Sequence, residues 1–288
     1  MRRSLFALTY FGRLARVENS VLPVFAILAG AATQATLTHF TTALACTIFV
    51  LAHSVVTVWN DMCDEQSDTH NNIHRIAAIR HAGAYKSLRV ITVLLGTASI
   101  GLSTLLLTPQ QTALFITYYV ISWLYNSRPY QASHRPVASI VLLGMAYGLI
   151  PFLLGNGLTG ITWALLLLGI SWAIVRASLS ILKDYKDAPG DAKSNKRTFL
   201  LSFGNRLTVR ISLVLALIGY IGCIVGVSIY TTHTLLATSS LAILAFWLMY
   251  QRVKLLKVTQ YAEANRLFHS FLEYELLFSC LAVIWLHQ

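Results

Sequence analysis

Apolar residues fill this chain in long unbroken runs. They show neither the period-two alternation of a half-buried strand nor the one-sided stripe of a soluble amphipathic helix. A helix needs about 20 apolar residues to cross a bilayer. Runs near that length recur at 18–36, 40–60, 88–107, 110–126, 137–157, 161–182, 208–230, 233–251 and 268–287. They predict an all-α fold, a polytopic membrane bundle of nine transmembrane helices. The run at 110–126 is short and rich in aromatic residues. The opening MRRSLFALTYFGRLARVENS has an apolar core too short for a signal peptide, interrupted by Arg13, Arg16 and Glu18. It is read as an amphipathic cytoplasmic lead-in to the first span. No soluble domain, low-complexity tract or targeting tail is expected, so residues 1–288 form one membrane domain.

Composition agrees with this class. Of 288 residues, 56% are hydrophobic and only 11% are charged. A soluble domain carries about 25% charged residues, and a chain this apolar is not disordered. The cysteines Cys46, Cys63, Cys223 and Cys280 are far apart and form no CxxC pair, which argues against a disulfide framework or structural zinc. The net charge of +11 suggests a polyanionic partner such as nucleic acid. Its distribution says otherwise. The breaks after the first, third, fifth and seventh runs hold no Lys, Arg, Asp or Glu. The N-terminal segment and the other breaks, with their edges, hold 21 of the 22 basic residues. The exception is Arg176, inside the sixth run. Basic residues gather on the cytoplasmic side of membrane proteins. The expectation is a multi-pass protein of the cell (plasma or inner) membrane, N-terminus cytoplasmic, with no nucleic-acid partner.

The scarce acids carry the chemistry. Six of the eleven are the aspartates of two clusters. Asn60, Asp61, Asp64 and Asp68 lie at the cytoplasmic end of the second run, and Asp184, Asp187 and Asp191 at that of the sixth. Both clusters place Asp at offsets 0, 3 and 7, which share a face on a helix. Pro189-Gly190 must deform the last turn of the second. A constant shift of 123 relates the two sets and hints at a pseudo-repeat of helix groups. Carboxylates crowded beside a bilayer repel one another and are tolerated where they hold a cation. Aspartate oxygens with water suit Mg²⁺, which shares substrate phosphates. His74, Arg75, Arg80 and Lys86 follow the first cluster, and Lys193, Lys196 and Arg197 follow the second. Most fit the topology rule; beside a carboxylate–metal site they also fit a diphosphate leaving group.

These residues resemble the UbiA superfamily of intramembrane prenyltransferases. The first family motif, NDxxDxxxD, is present in full as Asn60, Asp61, Asp64 and Asp68. The second, DxxDxxxD followed by a basic residue and Thr, is present as Asp184, Asp187, Asp191, Lys196, Arg197 and Thr198. Arg16-Val-Glu-Asn19 is similar to the family's Arg-Pro-x-Asn entry to the first helix. Tyr125-Asn-Ser-Arg128-Pro129-Tyr130 with His134-Arg135-Pro136 is similar to the segment after its fourth helix. Nine helices is also the family's architecture. Two departures stand out: His74-Arg75-Ile76 where the family often has Arg-Pro, and Asn195 where a Gly commonly precedes the basic residue.

The resemblance implies Mg²⁺ as cofactor and a polyprenyl diphosphate as donor. It places one ion on Asp61, Asp64 and Asp68, with Asn60 ligating or orienting, and the other on Asp187 and Asp191, assisted by Asp184. Lys196, Arg197, Arg75 and Arg128 would grip the diphosphate. An allylic cation would meet the faces of tyrosines drawn from Tyr118, Tyr119, Tyr125, Tyr130 and Tyr147. The acceptor would be a hydrophobic or aromatic quinone precursor or a lipid. Arg176, a charge inside a span two turns before Asp184, is a pocket candidate on its position alone, and Asn19 and Glu18 at the start of the first run are similarly placed to meet the acceptor or the diphosphate. Any one tyrosine is also an ordinary packing or interface residue, and Arg176 could equally snorkel. Glu273 and Glu275 receive no role. Two other activities use the same acids within the superfamily: terpene cyclisation and phosphoribosyl transfer to a lipid phosphate. A membrane transporter for a divalent cation or phosphorylated metabolite is the alternative of another class. Transport sites usually sit near the midplane, however, whereas these acids gather at one face.

Overall fold

The computed structural model describes residues 11–12, 14–34, 39–64, 85–185, 187–258 and 261–288. Asp68 and Arg75 lie outside these residues. Every regular element among the described residues is helical. A 3-10 turn, Val17–Ser20, leads into α1 (Val21–Ala32). Then follow α2 (His39–Cys63), α3 (Tyr85–Leu106), α4 (Pro109–Asn126) and α5 (Pro136–Asn156). After these come α6 (Trp163–Leu182), the short α7 (Ala188–Lys193), α8 (Phe199–Tyr230), α9 (Thr234–Lys254) and α10 (Tyr261–Leu286). Among the described residues seven helices are long and apolar enough to cross a membrane. The first expected run appears as the shorter apolar segment Val17–Ala32, and the aromatic-rich run as the 18-residue α4.

Local chemistry sets several boundaries. Thr108 caps α4 by accepting from the Gln111 amide at 3.2 Å. The Gln111 side chain accepts in return from the Thr108 amide at 3.2 Å, and Pro109 fills the first helical position. Thr162 and Thr198 cap α6 and α8 in the same way, accepting from the Leu165 and Leu201 amides. In α5, Pro151 has no N–H for the Tyr147 carbonyl, and the ladder widens into a π segment at Met145–Leu149. That segment carries Tyr147 to the cavity wall.

Two expectations need correcting. The second acid cluster does not share one face of one helix. α6 ends at Leu182, Asp184 sits in a 3-10 turn, and Asp187 precedes α7, whose early Pro189 starts a new helix. Arg252, expected in a cytoplasmic break, lies inside α9 and is 0% exposed.

The helices form a closed set. α6 packs along α8 and against α5, α8 against α9, α9 against α10, and α10 returns to α1, while α2, α3 and α4 complete the other side. Large apolar side chains such as Leu105, Trp163 and Phe246 point outward, as lipid-facing surfaces require. Without a hydrophobic drive between helices in lipid, small residues let backbones approach. α1 and α5 do this at Gly30 and Gly155. A Cβ at Gly30 would overlap the Phe152 carbonyl, and one at Gly155 the Ile27 carbonyl. Backbone cannot yield as a side-chain tip can. Gly30→Ala or Gly155→Ala should therefore cost about 1–3 kcal/mol by overpacking, read as a lower apparent Tm in detergent. Gly101→Ala on α3, where nothing lies within 4 Å, should leave Tm unchanged or slightly raised.

Candidate functional site

A cavity of about 540 Å³ opens where the acid-bearing helix ends converge. Its polar end is lined by Asn60, Asp61 and Asp64 from the end of α2, and by Asp184, Asp187 and Asp191 from the turns after α6. Lys196, Arg16 and Asn19 complete that end. Below it the wall divides. Between α2, α4 and α5 it is made of Tyr118, Tyr125, Tyr147, Ile121, Leu142 and Ala146. Between α1, α6 and α10 it is made of Leu22, Pro23, Leu179, Phe268, Leu272 and Arg176.

Each acid is held by a local device. Asp61 is nearly buried and pairs with the Arg16 guanidinium. Arg16 stands in the left-handed region, φ 43°, which disfavours a side chain. The Thr57 hydroxyl, donating to the neighbouring Ala15 carbonyl at 2.8 Å, ties that strained segment to α2. Asp64 accepts from Lys196 Nζ at 3.2 Å and from Asn60 Nδ2 at 3.1 Å. Lys196 thereby bridges the second motif's loop to the first motif's helix, 132 residues away in sequence. α7 is anchored by its own backbone: the Asp191 amide donates to the Asp187 carbonyl and the Lys196 amide to the Asp191 carbonyl. The turn at Tyr185 is fixed by Asn205, which accepts from the Tyr185 hydroxyl and donates to the carbonyls of Leu255 and Val258 at 3.3 and 3.1 Å. Gly204, at φ 75°, breaks the helical path of α8 just before that latch.

Crowding marks the electrostatics. Burial raises the Asp191 carboxyl to about 6, Lys196 opposes this, and the carboxylates of Asp187, Asp184 and Asp64 add to it. Burial alone would lower Lys196; Asp64 and Asp191 instead hold its ammonium above the ordinary lysine value. No three Asp, Glu, His or Cys among the described residues converge tightly enough to enclose a metal by themselves. The donors are nonetheless hard oxygens on one wall. Mg²⁺ normally takes one or two carboxylates and leaves its other positions to water and substrate phosphate, and the aspartates fit that use.

Twelve of the residues expected from sequence reach this cavity: Asn19, Asn60, Asp61, Asp64, Tyr118, Tyr125, Tyr147, Arg176, Asp184, Asp187, Asp191 and Lys196. Arg128 opens instead on a neighbouring hollow of about 370 Å³ that shares Asp64. Arg197 is exposed and lines neither hollow. Tyr119 is engaged with Ser99 at 2.6 Å, and Tyr130 packs its exposed ring on Trp123. Sequence reasoning missed Lys183, which lines the cavity and donates to the Tyr125 hydroxyl at 3.0 Å. Its place one residue before Asp184 was the available signal. Arg16 was noted as a charge in the N-terminal segment and as part of a resemblance; its pairing with Asp61 is new.

The family model for the UbiA prenyltransferase family matches residues 20–272. The fold is similar to that of a UbiA homolog from Archaeoglobus fulgidus bound to DMAPP and Mg²⁺ (TM-score 0.73, 14% identity, 96% of this chain and 98% of that one). The same homolog bound to GPP and Mg²⁺ is similar at TM-score 0.68 and 12% identity, over 97% and 100% of the chains. A digeranylgeranylglyceryl phosphate synthase is similar at TM-score 0.70 and 16% identity, over 98% and 99%. A comparison with curated proteins finds no match. The model match spans most of the chain, and the protein belongs to the UbiA prenyltransferase family and is a prenyltransferase.

Proposed function

We propose that this enzyme transfers a polyprenyl group from an allylic polyprenyl diphosphate to an aromatic, quinone-precursor-like or lipid acceptor within the membrane. The reading includes Mg²⁺ dependence, nine membrane spans, a cytoplasmic N-terminus and a site facing the cytoplasm. One observation carries it: the described aspartates of both motifs, 123 residues apart, line a single cavity with Lys196 bridging them. The A. fulgidus homolog bound to DMAPP or GPP with Mg²⁺ supports the donor class.

Asp61 and Asp64, with Asp68, would hold one ion, and Asp187 and Asp191, with Asp184, the other. Asn60 fixes the Asp64 carboxylate through their hydrogen bond. Bound there, Mg²⁺ would neutralise the diphosphate as it leaves. The chain's own residues do the rest. Arg16 and Lys196, already paired with Asp61 and Asp64, lie where they can turn to phosphate oxygens and hold developing charge. Arg128, Arg197 and Arg75 would add positive charge around the mouth. Tyr118, Tyr125 and Tyr147 offer ring faces to an allylic cation. Tyr118 is held by His53 at 2.8 Å and Tyr125 by Lys183, so two of the rings are fixed in place. The apolar wall of Ile121, Leu142 and Ala146 keeps water from quenching the cation. Asn19 would meet the acceptor beside the diphosphate.

Asp64→Ala and Asp187→Ala should each lower prenyl transfer by roughly 100-fold or more in purified membranes with Mg²⁺ present; wild-type rates in either variant would contradict the assignment. The Asp191 carboxyl, raised to about 6, must lose its proton before it can ligate a cation. Protons and Mg²⁺ therefore compete at Asp191 below that value. Apparent Mg²⁺ affinity, measured by titration with a non-ionisable donor analogue, should fall by about ten-fold per unit or more as pH drops below 6. An affinity flat from pH 8 to 5 would contradict this.

A further inference from the structure

The buried charges behind the cavity do not balance. Glu275 of α10 and Arg252 of α9 are both 0% exposed, and Arg176 of α6 is 3% exposed. Glu275 Oε1 accepts from Arg252 Nη2 at 2.8 Å and from the Tyr220 hydroxyl. Arg252 is further held by Ser178 Oγ at 2.9 Å and by the Tyr220 hydroxyl oxygen at 3.2 Å. One oxygen of Glu275, the carboxylate of this cluster among the described residues, is thus taken by Arg252 and Tyr220, while Oε2 has no hydrogen-bond partner there and lies nearest Arg176. Arg176 gets only a 2.9 Å bond from Nη2 to Ser279 Oγ and a loose approach of Nη1 to Glu275 Oε2, at 3.9 Å. Its Nε and Nη1 find no hydrogen-bond acceptor among the described residues. Two guanidinium groups against one carboxylate leave a net positive charge inside a membrane-spanning helix, an expensive arrangement unless something answers it. Arg176 is also the member of the cluster that lines the cavity.

Arg176 stands on α6, eight residues before Asp184 of the 3-10 turn that follows, so about 12 Å deeper at roughly 1.5 Å per residue. A diphosphate held by the acid motifs stays at the polar end, and a prenyl tail is uncharged. Neither answers Arg176. We propose that Arg176 is a specificity-determining residue that binds an oxyanion, carboxylate or phosphate, on the acceptor. The acceptor would then sit in the α1–α6–α10 side of the cavity, its reacting atom toward the acids and its anionic group beside Arg176. Glu275 and Arg252 act as positioning residues: they fix the guanidinium without cancelling it. The other ionisable groups lining this side, Glu18 before α1 and His269 and Glu273 on α10, are exposed, so their charges are screened where that of Arg176 is not. The proposal rests on the prenyl-transfer reading for what the cavity holds.

The test uses the full-length protein in detergent with two matched probe pairs. One is 4-hydroxybenzoate against the neutral 4-hydroxybenzamide, and the other a prenylated glycerol phosphate against the same lipid without phosphate. Mg²⁺-dependent binding of a prenyl thiolodiphosphate is measured alongside. In at least one pair the charged member should bind wild type about ten-fold more tightly or better. Which pair responds distinguishes a soluble carboxylate from a lipid phosphate. Arg176→Gln should bring that pair within about two-fold while donor-analogue binding and Tm hold, and Arg176→Lys should keep part of the preference. If the Gln variant does not fold, Arg176→Met, which keeps the buried stem, takes its place. The proposal is overturned if wild type prefers neither charged probe, or if the neutral variant keeps the preference or loses both members of the pair alike. Failure of the donor analogue to bind wild type with Mg²⁺ would instead strike the prenyl-transfer reading, and the probe pairs would still report on Arg176.

Discussion

The repulsion among carboxylates at the end of an apolar bundle is the constraint on which the rest of the site depends. Five described aspartates from two motifs line one cavity. Among the described residues two cations brought from elsewhere meet them, Arg16 from the lead-in to α1 and Lys196 from the loop after α7. Those pairings explain local features that would otherwise look arbitrary. Arg16 accepts a left-handed backbone to reach Asp61. The chain after α6 winds through a 3-10 turn and a six-residue helix before Lys196 arrives at Asp64.

Depth separates the tasks. Charge and hard oxygen ligands stand at one end, and tyrosine faces lie on the α2–α4–α5 wall. A second positive charge, Arg176, sits about two helical turns lower on the opposite wall. An ionised donor needs this division: the leaving group must be neutralised where the carbocation is not, and water must be kept from the cation. Helix packing maintains it through close backbone approaches such as Gly30 with Gly155, because side-chain hydrophobicity does not drive helices together in lipid.

The acids were legible in the sequence because a membrane protein has so few of them that two equal spacings stand out. The helical runs were legible from length and apolarity alone. Other features were not. A basic residue after a span obeys the topology rule whether it is solvated or buried, so Arg252 read as a loop charge; only packing shows its bond to Glu275. Glu275 had no role for the same reason, since its partners lie 23, 55 and 99 residues away. The equal spacing of the two acid motifs suggested equal helices. Pro189 limits the likeness, and the second motif closes on the first through tertiary contact instead of helical register.

The most direct measurement of the central claim is a crystal of the full chain grown with a non-ionisable prenyl diphosphate analogue and Mn²⁺ in place of Mg²⁺, with anomalous scattering used to locate the metal. The account predicts two metal peaks. One should lie within ligand distance, about 2.0–2.3 Å, of Asp61 or Asp64 and the other within the same distance of Asp187 or Asp191, both touching the diphosphate. A diphosphate bound with no metal between the motifs, or metal peaks away from these aspartates, would contradict it.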